Sequence, residues 1–383
     1  GGPNSCLVKA KRKSLTWSAT QIINSNGNMD IWMQKIPYDE FTSGLWFEDF
    51  GIALDKKYVG SAGDAGLIFD KIDTIEKEYD FRRTMSNLAG DIYANMNQRE
   101  ETIGDIFDSS LHLLQDSKNN TKENVKVNVI AGKGSVKEDT EGVAGYDYEA
   151  VGALALREVE RTYKHTFGYS LGYTHTSFEF KDGNKSEEDV DSIQLGLHSK
   201  YKSNDWVLRN DLTGRVGFHN VDRTLNWTNA GKSEMNGTYE TYSITSDNKL
   251  GKEISLGKRA SVTPYGGIKA MYTTRPTFSE SGLESLEVEG NDAWSVRPRA
   301  GVELKGEIPL GNNESWKLKG SVDVAYEYEL GDLNEREYAK LSKVETDYHK
   351  LSKPEKDKGQ IRTGVSVGEE VEERYGIFIT GDY

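Results

Sequence analysis

The side chains with the clearest chemical pattern are charges at even spacings within long β-prone runs: Arg209, Asp211 and Arg215; Arg297, Arg299, Glu303 and Lys305; Asp323 and Glu327. Even spacing places each set on one face of a strand, so the chemistry on offer is ion pairing along a wall. In a membrane strand, a charge turned to lipid at the midplane costs about 2–4 kcal/mol, which would direct these faces to a wet interior. The groups that catalysis and metal binding need are dispersed. Six histidines are scattered, and His165, His175, His198 and His219 sit on separate predicted strand positions without metal-ligand spacing. Cys6 is the single cysteine, so no internal disulfide and no cysteine metal cluster is expected. Residues 1–60 carry no Gly-x-Ser-x-Gly element. The reading is therefore of a non-enzyme with no cofactor and no metal.

The 383 residues carry a net charge of −14, with Lys and Arg interleaved among acids, which argues against nucleic acid as a partner. A hydrophobic content of 36% and a mean hydropathy of −0.68 suit a soluble protein. They suit a transmembrane barrel equally, because its strands alternate lipid-facing and interior residues. No run approaches the roughly 18 apolar residues of a membrane helix, so any membrane crossing must be by strands. The opening Gly1-Gly2-Pro3-Asn4-Ser5-Cys6 lacks a signal-peptide pattern, so an exported protein would be read here from mid-sequence. Tyr (20) and Gly (39) are abundant, as expected of interface aromatics and a crowded interior.

Three periodicities position these residues. Residues 1–60 are polar and β-prone, with two short runs around the turn signal Asn24-Ser25-Asn26-Gly27-Asn28, and resemble the last rungs of a β-solenoid. Residues 61–120 turn helical: Met85, Leu88, Ala89, Ile92 and Met96, then Ile103, Phe107, Leu111 and Leu114, make an apolar stripe. One helix over 80–116 would be roughly 55 Å long, enough to cross a pore through a bilayer core of about 30 Å. From 121 to 383 the period is two. Strands are expected near 124–132, 146–156, 162–180, 190–201, 206–219, 238–254, 259–275, 293–306, 316–330, 360–368 and 374–383. Long connections (133–145, 181–188, 220–237, 276–292, 331–359) alternate with short ones (157–161, 202–205, 255–258, 307–315, 369–373). Outer-membrane barrels have this rhythm, and the strands exceed the usual length of about 5–6 residues in globular sheets. Tyr169, Tyr173, Trp206, Trp294, Trp316 and Tyr328 are candidates for interfacial girdles. The charged stretch 332–358 reads as a solvated loop.

The segment Met85-Ser86-Asn87-Leu88-Ala89-Gly90-Asp91-Ile92-Tyr93-Ala94-Asn95 resembles the Leu-x-Gly-Glu-x-Tyr-Ala signature ahead of autotransporter β-domains. Leu88, Gly90, Tyr93 and Ala94 match, and Asp91 stands where Glu is usual. Gly290-Asn291-Asp292 and the strand over 294–304 are similar to a loop and the eighth strand of large autotransporter adhesins of Gram-negative bacteria. The resemblance covers roughly residues 60–383. It implies type V secretion by an all-β, transmembrane, antiparallel up-and-down β-barrel of twelve strands in the outer membrane, with an α-helix in its lumen. The barrel would export and anchor its own N-terminal passenger, expected to be an adhesin, at the cell surface.

Implied partners are outer-membrane lipid, the outer-membrane assembly machinery and the passenger, with the barrel monomeric. Eleven strands are counted, so the chain is expected to stop before the closing strand and to be unable to seal alone. The lumen-facing charges would hold Arg82, Arg83, Asp91, Asp105 and Asp108 of the helix. Some family members cut their own linker at an Asn; Asn87, Asn95, Asn97 and Asn119-Asn120 lie nearby, without a matching cleavage motif. Alternatives are a free-standing outer-membrane porin, which would lack the helix, and a soluble carbohydrate-binding β-protein.

Overall fold

The computed structural model describes residues 14–116, 124–137, 140–311, 316–371 and 375–382; Asn119 and Asn120 lie outside them. Strands β1 (Trp17–Ile23) and β2 (Met29–Lys35) pair antiparallel. Asn24 closes their turn by accepting from the backbone N–H groups of Asn26 and Asn28 at 3.1 and 3.0 Å, with Gly27 at φ +76°. The turn signal thus folds the chain back on itself, and the two runs form a hairpin.

Helices α1 (Asp39–Thr42), α2 (Glu48–Lys57), α3 (Gly63–Asp73) and α4 (Glu78–Ala89) follow, beginning well before the expected change of period at residue 61. Phe50 and Leu54 of α2 and Ile68, Phe69 and Ile72 of α3 are buried at helical spacing. Their stripes meet around Tyr38, which stacks on Phe69 at 6.1 Å and donates to Asp73 at 2.9 Å. The helix expected over 80–116 is broken. Gly90, in the left-handed region at φ +103°, ends α4. A 3-10 turn (Asp91–Tyr93) then leads into α5 (Met96–Asp116).

The remaining strands are β3 (Val125–Val136), β4 (Tyr146–Glu160), β5 (His165–Phe180), β6 (Glu187–Ser203), β7 (Trp206–Asn226), β8 (Lys232–Lys252), β9 (Ile254–Ser255), β10 (Ala260–Arg275), β11 (Phe278–Ser279), β12 (Leu286–Val288), β13 (Asn291–Pro309), β14 (Trp316–Tyr328), β15 (Leu330–Asp332), β16 (Tyr338–Leu341), β17 (His349–Lys350), β18 (Gly359–Val371) and β19 (Tyr375–Asp382). Eleven of them (β3–β8, β10, β13, β14, β18 and β19) form one antiparallel sheet in chain order, as the sequence count expects. Among the described residues, β3 and β19 are not paired with each other.

One expected long loop, 220–237, is mostly strand, and another, 181–188, is shortened at its end. β6 starts at Glu187, β7 runs to Asn226 and β8 resumes at Lys232, because alternation continues past the turn-prone residues, with Val221 and Leu225 fully buried. The connections over 276–290 and 329–358 supply β11, β12, β16 and β17, a four-stranded sheet at the long-loop end. Leu286, Val288, Ala339 and Leu341 of that sheet share one core with α2–α4. The helical cluster thus caps the end of the large sheet where the long connections gather.

Candidate functional site

The large sheet curls around α5, because polar contacts reach that helix from strands on every side. Asn128 of β3 donates to Ser110 at 3.1 Å, and Tyr146 of β4 bonds Thr102 at 3.0 Å. Glu188 of β6 lies 3.4 Å from Arg99, and Arg215 of β7 is 2.8 Å from Glu100. Lys269 of β10 is 2.7 Å from Asp108, and Arg297 of β13 and Arg362 of β18 reach Glu101 at 2.6 and 3.0 Å. Near the short-turn end, Asp116 is held by Arg209 at 2.9 Å and Lys305 at 2.8 Å. The rule is consistent: the helix brings acids and the wall brings bases, with Arg99 and Glu188 reversed.

The apolar stripe of α5 lies on β3–β5. Ile103, Phe107, Leu111 and Leu114 are buried in a core that includes Ile130, Leu154 and Leu156. Phe107 needs the small inner face of β5, since a Cβ on Gly172 would stand 2.7 Å from its ring and 2.8 Å from Leu154 Cδ1. One helix therefore carries two adhesive faces, one apolar and one acidic, each matched to its own arc of wall.

All nine expected wall charges are on the inner network. Besides the contacts above, Arg299 pairs with Asp247 at 2.6 Å, Lys305 with Glu303 at 3.0 Å and Glu327 with Arg362 at 2.7 Å. Asp323 accepts from Tyr265 at 2.7 Å, and Asp211 from Gln115 at 2.8 Å. Sequence reasoning missed Glu100, Glu101, Asp116, Lys269 and Arg362, although α5 shows its acids at near-helical spacing. Of the helix partners expected, Asp108 meets Lys269 and Asp105 lies 3.8 Å from Arg362. The other three are corrected. Arg82 is exposed and pairs with Glu78 of its own helix, and Arg83 lies on α4, outside the lumen. Asp91 accepts from Asn87 and Ser86 at 2.8 and 3.1 Å. The break at Gly90 separates α4, which carries Arg82 and Arg83, from α5.

Ser170, His198 and Asp211 form a buried relay with both links at 2.7 Å. A second relay runs from Thr241 through His219 to Glu188 at 2.8 and 2.9 Å. Ser170 lies mid-strand, where the ladder uses the backbone N–H groups and leaves no preorganised oxyanion donors. These histidines fasten neighbouring strands.

The signature residues sit where α4 gives way to α5. Leu88, Gly90, Asp91, Tyr93 and Ala94 are all buried beneath the long connections. Tyr93 donates to Glu280 at 2.5 Å, and Arg223 grips the same carboxylate and the carbonyl of Asn87, at 2.8 and 2.9 Å. Asn95 and Asn97 donate to the carbonyls of Ala144 and Leu333, each at 2.8 Å. His349 bonds the carbonyl of Ala89 through Nε2 at 2.7 Å and lies 4.5 Å from the Phe50 ring. Burial pushes its pKa down to about 4. Burial, aided by Asp182, lifts Asp91 to about 7.

The outer face of the sheet is apolar. Leu195, Leu197, Leu212, Ile244, Ile268, Val302, Leu304 and Val324 are all exposed, a continuous belt that water would penalise. Tyr169, Tyr173, Trp206, Trp294 and Tyr328 point outward with it, whereas the Trp316 side chain is outside the described ones. Trp206 at the short-turn end and Val216, level with outward Tyr242, are ten residues apart on β7. That is roughly 33 Å along the strand and about 25 Å along the axis at a tilt of about 40°, the height of an outer-membrane apolar band.

A lipid-facing antiparallel barrel with a helix fastened through its lumen defines the class of translocator barrels. Residues 125–382 match the autotransporter beta-domain family, and the chain belongs to that family. It is an outer-membrane protein that exports a passenger to the cell surface. Residues 5–37 match the BigA beta sandwich domain. No curated protein sequence matches the chain. Among solved structures, the translocator domain of autotransporter NalP from Neisseria meningitidis aligns with 77% of this chain over 98% of its own, at 14% identity and a TM-score of 0.55, and shares the fold. The β domain of the Bordetella autotransporter BrkA aligns over 68% and 91%, at 11% identity and a TM-score of 0.44.

Proposed function

We propose that α5 is the end of the exported segment, left in the lumen as a plug, and that the wall charges are its fasteners. The observation that carries this reading is the path of the chain. Asn95 and Asn97 are bound at the long-loop end, Asp116 at the short-turn end, and β3 then starts the barrel from the short-turn end. Everything before α5 therefore lies beyond the long-loop end, which is the outer side of such barrels. Three parts follow: an exported part through Asn95, the plug Met96–Asp116, and the barrel from Val125 onward.

Insertion by the outer-membrane assembly machinery belongs to the same proposal. Strands that carry Arg215, Lys269 and Arg297 inward cannot enter lipid one by one without exposing those charges. The plug is tested by conductance in planar bilayers. The intact chain should stay nearly closed, and removal of residues 96–116 should open a steady aqueous pore. Equal conductance would overturn the plug. A Glu101→Lys variant, which keeps the chain length and reverses one fastener, should flicker open more often than the unaltered chain.

A further inference from the structure

Among the described residues, nothing lies on the apolar face of the β1–β2 hairpin. Register places Ala19, Ile23, Met29, Ile31 and Met33 on one side, with Gln21 between them. Ile23 is 77% exposed, Ile31 52% and Met33 60%. The opposite side carries Ser18, Thr20, Asp30 and Gln34 with Ile22 and Trp32, so the polarity alternates as in a strand pair meant to be buried on one face.

The base of the hairpin is fixed. Thr16 donates to Asp73 at 2.6 Å, and Leu15 and Ile36 make backbone bonds of 2.8 and 2.7 Å to Ile75 and Thr16. Its apolar face is thus held out from the helical cap, and among the described residues the sheet has two strands, a size that is marginal in water by itself. The chain identifies what covers it. Residues 5–37, which include the whole hairpin, match a β-sandwich domain, and in a sandwich each inner face is covered by a second sheet.

We infer that this face is a docking surface for a β-sheet of the passenger, which lays its own apolar face on Ala19, Ile23, Met29, Ile31 and Met33 and completes a sandwich. The inference rests on the translocator reading, since it needs a passenger outside the cell. The sandwich then sits directly on the helical cap, over the plugged mouth of the barrel.

The test uses single cysteines in a Cys6→Ser background, with a membrane-impermeant thiol reagent applied to intact cells. Ile31→Cys and Met33→Cys report the apolar face, and Thr20→Cys reports the opposite one. Each is placed in the chain of residues 1–383 and in the gene product carrying its passenger. The expected result is labelling at all three positions in the shorter chain, and loss of labelling at Ile31→Cys and Met33→Cys alone when the passenger is present. Undiminished labelling at those two positions in the passenger-bearing protein would overturn the inference while the translocator reading stands. Protection of the two in the shorter chain, with a disulfide-linked dimer on oxidation, would also overturn it by making a second copy the occupant. Failure to label Thr20→Cys in either protein would place the hairpin inside the cell and bring down both readings.

Discussion

At the scale of single residues, the lumen depends on charges that are each held by a specific opposite. Glu100 is buried and has Arg215 at 2.8 Å and Thr241 at 3.2 Å. An Arg215→Ala change leaves that carboxylate without its main partner and should cost about 3–5 kcal/mol. The urea midpoint of the detergent-folded barrel should fall markedly, and Glu100→Gln in the same chain should recover part of the loss. No recovery in the double variant would separate the two residues energetically.

Two buried groups near Gly90 should oppose each other in pH. His349 faces Asp49 and Arg223, and its proton affinity is depressed to about 4, so it stabilises the fold above its unfolded value and loses that contribution as pH falls from about 6.5 toward 4. Asp91 faces Asp182 and Arg223 and is raised to about 7, so it favours the fold at low pH and loses that contribution as pH rises toward 7. Each displacement corresponds to at most about 3–4 kcal/mol. Thermal stability measured from pH 4 to 8 should therefore rise with pH in Asp91→Asn and fall with pH in His349→Gln, relative to the unaltered chain. Parallel profiles for the two variants would contradict the assignment. Alternation made the inward charges legible in the sequence; their partners on α5 were not, because period-two reasoning does not reach from a strand to a helix more than a hundred residues away.

At the scale of elements, the turn at Gly90 decides which helix enters the barrel. The position needs φ +103°, and a Cβ there would meet Leu286 Cδ1 at 2.8 Å. The leucine tip can move, so the backbone term dominates, and Gly90→Ala should cost about 1–3 kcal/mol. A lowered temperature for conversion of the folded to the heat-extended band on a gel would register it. An unchanged temperature would mean that the αL turn is not required. The apolar stripe continues through Ile92 to Met96, so periodicity read one helix where there are two. The strand extensions of β7 and β8 were missed for the opposite reason: Asn and Gly near their ends read as loop, while burial of Val221, Leu225 and Trp227 against the cap keeps them in strand.

At the scale of the molecule, the two ends of the barrel differ. The outer mouth is filled by α2–α4, β11, β12, β16 and β17 around one core. The inner mouth keeps a cavity of about 210 Å³ lined by Asp116, Arg209, Lys249, Tyr265, Lys305 and Asp323. The rhythm of long and short connections disclosed the barrel and the eleven long strands found among its described residues, because each hairpin is a local event in the sequence. The cap was not legible, since its core joins segments as distant as Phe50 and Leu351, which no local pattern links.

The central claim is that the chain ahead of α5 has crossed the outer membrane. An epitope inserted in the turn over 24–28 and, separately, one in the turn over 204–205 test it on intact cells with an external antibody. The account predicts binding at the first and none at the second until the outer membrane is permeabilised. Binding at the second alone, or at neither with the protein in the soluble fraction, would contradict it.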